Sequence, residues 1–273
     1  MKKGIVAALL FSSFLSHANP DADSILTSVR DRDDGHSYIS DVELNLINSD
    51  GNVRARNMYM LQKDSDDKEM TYIYFYDSVD VRGVSFLMYT YPEQTGSADD
   101  QWLYLPAFRK IRRIGSNDKR GSFMGSTFSY YDLDKIRIGD YQSTVVGEEI
   151  IDGRETWVIE QIPSSQEVIN KTGYHKVKRW VDKEREIFVR SDYFDAKEVL
   201  FKRQEAIEVE AVQGIWTITN ARTINLVNDT SSEMIFNNLE YNVGLDNNKF
   251  SKRALKNGLK ISSIKELIQG DEG

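Results

Sequence analysis

Asp152-Gly153 separates two runs, 141–151 and 155–162, and this arrangement constrains the fold more than any other feature of the chain. An Asp-Gly pair supplies the left-handed backbone that a two-residue β-hairpin loop requires. The same logic recurs along the sequence. Residues 199–212 and 215–227 flank Gln213-Gly214, and 174–181 and 186–193 flank Asp182-Lys183-Glu184-Arg185. Nearer the N-terminus, Val42, Leu44 and Leu46 alternate with Glu43 and Asn45 ahead of the turn cluster Asn48-Ser49-Asp50-Gly51. Further strands are expected over 53–62, 70–76, 84–91 and 101–105, where Pro106 ends the ladder for want of an N–H, and over 234–243. Ten or more strands with short connections and no repeated βαβ unit predict a mainly β (α+β) chain. Its single antiparallel sheet is expected to curve strongly, closing or stopping short as a half-barrel.

Few helices are available to cover so long a sheet. Asn19-Pro20 reads as an N-cap followed by proline at the first helical position, with Asp21 and Asp23 in the first turn where the helix dipole favours them. Ala22, Ile25, Leu26 and Val29 then form one apolar stripe, which should pack on the sheet, and Gly35 is placed to close the helix. Residues 250–259 suit a short helix or turn, and the chain after about 260 is expected to fray. No Pro/Gly/Ser-rich linker divides the sequence, so residues 19–273 are read as one domain.

The first eighteen residues have the pattern of a signal peptide: Lys2 and Lys3, an apolar run from Ile5 to Leu15, then Ser16-His17-Ala18. Cleavage is expected near Ala18-Asn19, leaving a soluble periplasmic protein. The apolar run is too short to cross a bilayer core of about 30 Å as a helix. There is no cysteine, which excludes disulfides, thiol catalysis, cysteine-ligated metal and a lipidated N-terminus. The formal charge of −8 becomes −10 without Lys2 and Lys3, an acidic balance that argues against nucleic acid as a partner.

Catalytic patterns are missing. No G-x-S-x-G or H-E-x-x-H occurs, and past the signal only His36 and His175 remain. The pairs Asp66-Asp67, Asp99-Asp100 and Glu148-Glu149 are adjacent, so on a strand they face opposite sides. The segment GSNDKRGS at 115–122 is too long before its second glycine for a phosphate loop and lacks the lysine after it. No enzyme, cofactor or metal site is expected.

What the chain does carry is apolar surface and one basic cluster. Phe86 with Met88, Trp102 with Tyr104, Trp157 with Ile159 and Trp216 with Ile218 share strand faces, and Met58, Met60, Met70, Met124 and Met234 add adaptable apolar surface. Phe86, Met88, Trp102, Tyr104, Trp157, Trp216, Met58 and Met60 are therefore candidates for the wall of a lipid-sized cavity, with an ordinary core as the alternative. Arg109, Lys110, Arg112 and Arg113, followed by Lys119 and Arg120, suit either a protected sheet edge or a lip that meets a lipid phosphate, a membrane surface or an acidic partner.

The segments W-L-Y-L-P-A-F-R-K-I-R-R-I (102–114), G-S-F-M-G-S-T-F-S-Y-Y-D-L (121–133) and R-W-V-D-K-E-R-E-I (179–187), with the signal peptide and the helix ahead of the strands, give the chain a wider likeness. Over residues 20–259 it resembles the outer membrane lipoprotein-sorting family, in the LolA-like branch associated with RND/MMPL-type exporters. The resemblance implies an unclosed antiparallel half-barrel covered by short helices, with a hydrophobic cavity for acyl chains. It also implies a periplasmic carrier of lipid or lipoprotein that works with an inner-membrane RND/MMPL-type transporter. A transporter adaptor with a collapsed cavity and no cargo is the alternative, and an envelope hydrolase is the weakest reading.

Overall fold

The computed structural model describes residues 21–259 together with Ser262 and Ile264. The expected signal segment 1–18, its expected cleavage site and nearly all of the chain beyond 260 lie outside the described residues; of that end, Ile264 is fully buried.

Thirteen strands form one antiparallel sheet. They are β1 (Ser37–Ile47), β2 (Val53–Asp64), β3 (Glu69–Phe75), β4 (Ser85–Thr90), β5 (Asp100–Leu105), β6 (Lys110–Ile114), β7 (Tyr141–Ile151), β8 (Arg154–Pro163), β9 (Lys176–Asp182), β10 (Phe188–Phe194), β11 (Leu200–Val212), β12 (Ile215–Asn225) and β13 (Thr230–Tyr241). Their order is β6-β5-β4-β3-β2-β1-β13-β12-β11-β10-β9-β8-β7. Each half is a simple meander, and the first and last strands pair in the middle, so β6 and β7 are left as the two free edges. The sheet is unclosed. The tight turns fall where the sequence puts them: Asp152 (φ 49°) and Gly153 (φ 78°) join β7 to β8, and Gln213 (φ 51°) and Gly214 (φ 85°) join β11 to β12.

β6 is the strand that the sequence pattern hides. Pro106 opens a single 3-10 turn, Pro106–Phe108, and Arg109 (φ 51°) reverses the chain so that the basic segment pairs along β5. Exposed charge on both faces gives it no apolar alternation.

Residues 115–140 connect one free edge to the other. They cross the concave face of the sheet through four short 3-10 turns, Ser116–Asp118, Phe123–Gly125, Tyr131–Leu133 and Ile138–Asp140. This crossover is packed, not draped. Phe123 is fully buried, with ring centroids 5.6 Å from Phe86, 5.6 Å from Tyr130 and 6.1 Å from Phe75. It joins Val42, Leu44, Met58, Met88, Leu103 and Met234 in the largest apolar cluster.

The opposite face of β2–β5 is covered as well, by α3 (Lys252–Asn257) and its flanks. Leu255, Phe250 and Leu245 pack there on Tyr59, Leu61, Tyr72, Leu87 and Trp102. Burial on both faces explains why β3 and β4 read as nearly continuous apolar runs, whereas β7, covered on one side only, alternates.

At the other end of the sheet, α1 (Ala22–Asp31) buries Ala22, Leu26 and Val29 on Ile159 and Val181, as its stripe requires. Its N-cap is Asp21, whose carboxylate accepts from the Ser24 N–H at 3.2 Å, instead of the expected Asn19. Gly35 does not cap the helix, which ends at Asp31. Gly35 has φ +72° in the link to β1, where a Cβ would stand 2.7 Å from Tyr241 Cδ1. The short helix α2 (Gln166–Thr172) lies between β8 and β9, capped by the Ser165 hydroxyl.

Candidate functional site: the concave cavity

Strand register sorts the expected cavity residues into two sets. Phe86 stands opposite Leu103 and Met88 opposite Gln101, while Trp102 stands opposite Leu87. Directly paired residues point to the same side of a sheet and neighbours along a strand to opposite sides. Met58 pairs with Phe75, Met60 with Ile73, and Ile73 with Phe86. The structure therefore gathers Met58, Met60, Phe86 and Met88 on the concave face beneath the crossover. It places Trp102 and Tyr104 on the other face, where the Trp102 ring lies 5.0 Å from that of Tyr89 and 4.3 Å from Lys252 Nζ. A single wall containing all of these aromatics is ruled out by the pleat.

Trp157 sits beside α1, with the Lys183 ammonium 4.0 Å from its ring. Trp216 carries the Arg185 guanidinium at 4.3 Å, and its carbonyl accepts from Arg32 at 2.7 Å. Of the eight candidates, Met60 alone lines the cavity of the concave face; Met58, Phe86 and Met88 pack beneath the crossover in the core beside it.

That cavity has a volume of about 420 Å³ and is bounded by Tyr38, Met60, Phe128, Phe188, Met234 and Phe236. Strands from both halves of the sheet contribute, and Phe128 and Leu133 of the crossover form one wall. At its rim Lys135 Nζ is held between Asp34 (2.9 Å) and Glu69 (2.5 Å). Burial raises the Glu69 carboxyl above the usual carboxylate range, and Lys135 opposes that rise. A wider cleft of about 810 Å³ opens on the far side of the crossover. Its lining mixes polar side chains, among them Asn48, Arg54, Arg120, Ser122 and Asn225, with apolar ones such as Leu46, Val53, Phe128 and Phe201.

Buried charges hold the crossover in place. Asp132 accepts hydrogen bonds from Lys202 Nζ and from the Tyr174 hydroxyl at 2.8 Å, and that hydroxyl accepts from Lys202 at 2.8 Å. Thr127 donates its N–H to Ser232 Oγ (3.1 Å) and its hydroxyl to the Thr223 carbonyl (2.8 Å). Lys119, expected on the basic surface, is buried instead and bonds Asp134 at 2.8 Å. Burial pushes the Asp134 carboxyl up to about 6 even though Lys119 pulls the other way.

Arg109, Lys110, Arg112 and Arg113 remain exposed at the sheet edge. Arg112 pairs with Asp118 (3.0 Å), and Arg113 Nε with Asp100 (2.9 Å). Charges along an edge strand discourage pairing with a second chain, and solvated pairs of this kind contribute little stability.

The residues that sequence reasoning passed over are Phe128, Asp132, Tyr174, Arg179 and Lys202. The aromatic-acidic end of 121–133 is a signal for Phe128 and Asp132 alone; Tyr174, Arg179 and Lys202 lie outside it.

The fold recurs in solved proteins. An outer membrane lipoprotein-sorting protein domain from Vibrio parahaemolyticus is 30% identical and superposes with a TM-score of 0.77, over 86% of this chain and 98% of that one. The chain belongs to the LolA-like lipoprotein-sorting family. A DUF1329 family protein from Desulfovibrio piger shares 29% identity at a TM-score of 0.78, covering 86% of this chain and 97% of that one. A LolA superfamily protein from Nitrosomonas europaea, 17% identical, shares the fold at a TM-score of 0.64 over 85% and 98% of the two chains. A family model described as an uncharacterized protein matches residues 67–257. No curated protein matches.

In this LolA-like chain, no three His, Cys, Asp or Glu side chains among the described residues are grouped to hold a metal ion. No helix among the described residues is long and apolar enough to cross a membrane. The candidate site of the LolA-like sheet is its concave cavity, walled on one side by the crossover.

Proposed function

We propose that this protein is a periplasmic carrier that shelters an acyl chain of a lipid or lipoprotein in its concave cavity and passes it on with an inner-membrane RND/MMPL-type transporter. The observation that carries the reading is the cavity of about 420 Å³ between the sheet and the crossover, whose wall combines apolar side chains such as Met60, Phe128, Met234 and Phe236 with charged ones and whose size is within the range of small-ligand pockets. Membership of a lipoprotein-sorting family and the signal-like pattern of residues 1–18 support it. Burial of each methylene contributes about 0.8 kcal/mol, so one long chain supplies useful affinity without catalysis. Met60, Phe128, Met234 and Phe236 would contact the chain. Arg109, Lys110, Arg112 and Arg113, exposed at the β6 edge, would meet an anionic membrane surface or the transporter.

Lipid extraction and mass spectrometry of the protein purified from a periplasm test the reading, together with uptake of a fluorescent fatty acid. A co-purifying acyl species and saturable uptake are expected. Absence of both would leave the adaptor role in its place. Turnover of a lipid ester that a single serine or histidine substitution abolished would make the protein an enzyme.

A further inference from the structure

Among the described residues, Arg179 is a buried cation of the concave face that makes no ion pair with a carboxylate. It lies on β9, is 8% exposed, and lines both the cavity of about 420 Å³ and an adjoining one of about 270 Å³. Its Nε donates to Gln161 Oε1 at 2.6 Å and its Nη1 to Ser191 Oγ at 3.0 Å. Both acceptors are neutral, and Nη2 bonds to no described residue. The guanidinium is flanked by the rings of Phe188 at 4.6 Å and Tyr193 at 5.9 Å, which fix its plane.

Of the other cations that are buried or line the cavity nearby, all but Arg32 are matched by carboxylates. Lys202 has Asp132, Lys119 has Asp134, Lys135 has Asp34 and Glu69, and Arg222 has Glu233 at 2.8 Å. Arg32, at the end of α1, gives its hydrogen bonds to the carbonyls of Asp33 and Trp216. Glu205 also lines the cavity, but it is half-buried and makes no ion pair with Arg179. Around the Tyr193 ring, with Lys202 Nζ at 5.2 Å and Arg179 at 5.9 Å, two cations face the single carboxylate of Asp132. Arg179 itself is nine-tenths buried without a carboxylate in ion-pair contact among the described residues. An uncompensated buried charge is costly, and a planar guanidinium with a free donor edge fits an oxyacid group in two-point contact.

We propose that Arg179 is the receptor for the anionic head of the cavity's ligand, which makes the ligand an acyl chain ending in a carboxylate or phosphate. The proposal rests on the carrier reading and narrows it. Phe188 and Ile218 border both spaces that Arg179 lines, so a chain held by its head at Arg179 continues along apolar wall toward Met234 and Phe236. Neutral lipids of equal length lack the head contact and bind less well.

The test compares dodecanoate, dodecyl phosphate and dodecanol by calorimetry on the delipidated chain and on Arg179→Gln and Arg179→Lys. Wild type is expected to bind one or both anions at least tenfold tighter than dodecanol, and the preferred anion identifies the head. Arg179→Gln should erase that preference, with Arg179→Lys keeping part of it. Equal binding of all three by wild type would overturn the head-group site yet leave the carrier standing. That comparison needs no variant, so it decides the matter even if Arg179→Gln fails to fold. Binding of acetate or inorganic phosphate as tight as that of the long-chain anions would replace the amphiphile with a free anion and overturn the proposal. Failure of every chain to bind would remove the carrier reading and this site together.

Discussion

The Asp132 carboxylate and the Lys202 ammonium meet inside the protein, 2% and 8% exposed, and join the crossover to β11 across the concave face. Tyr174, also buried, closes the triangle by donating to Asp132 and accepting from Lys202. The crossover, which spans the open side of the half-barrel, is thus fixed at a charged point, and the wall of the cavity depends on it.

Removing one partner of that pair leaves a bare buried charge. Lys202→Met or Asp132→Asn is expected to lower stability by about 3–5 kcal/mol. The double variant should recover a good part of the loss, because no unmatched charge then remains. Urea unfolding measures the cycle, and equal additive losses would show that the pair does not couple.

Cavity and core separate by face. Ala221 lines the cavity, so Ala221→Phe should fill it and weaken acyl-chain binding at least tenfold, at an overpacking cost of about 1–3 kcal/mol. Trp102→Ala, under α3 on the other face, should cost about 3–5 kcal/mol of stability with unchanged affinity. Fluorescent fatty-acid titration beside urea melts distinguishes the two outcomes.

Stability should respond to pH through Asp134. Burial raises its folded pKa to about 6, above the ordinary value near 4, so between these values the folded chain keeps a proton that the unfolded chain has released. Stability from this group is therefore full below about pH 4 and falls as pH rises to about 6, by roughly 2–3 kcal/mol. Asp134→Asn removes this dependence. Relative to wild type, the variant should be more favourable at pH 7 than at pH 4, and a pH-independent difference in urea melts would contradict the assignment.

Gly35 and Gly51 share positive φ, at +72° and +80°, but differ in surroundings. Gly51→Ala meets nothing within 4 Å and should cost about 1 kcal/mol from backbone strain alone. Gly35→Ala adds a 2.7 Å contact with the Tyr241 ring and should cost clearly more. Thermal melts of the two variants compare strain with strain plus clash.

The strands were legible because their turns were. Asp152-Gly153 and Gln213-Gly214 carry local backbone preferences, and Ala22, Leu26 and Val29 declare a helical face by spacing alone. β6 was hidden because an exposed edge strand needs no apolar alternation. Its pairing to β5 is its only signature, and pairing is not local.

Of the site, the methionines and Phe86 could be read as apolar, but not as sharing a face with residues on other strands. One residue of register decides whether Phe86 or Leu87 meets the crossover. Lys119, Arg179 and Lys202 look like surface cations in the sequence; their burial depends on Asp134, Gln161 and Asp132, far along the chain.

The sequence by itself determined an antiparallel meander with short turns and an apolar helix to pack on it, since periodicity and turn chemistry act over a few residues. Only the tertiary structure decided that β1 and β13 pair, which leaves β6 and β7 as distant edges and sends residues 115–140 across the concave face. That choice rests on contacts between residues up to about two hundred positions apart, such as Tyr38 with Tyr241. It turns a basic and aromatic stretch into an edge strand and the wall of a cavity.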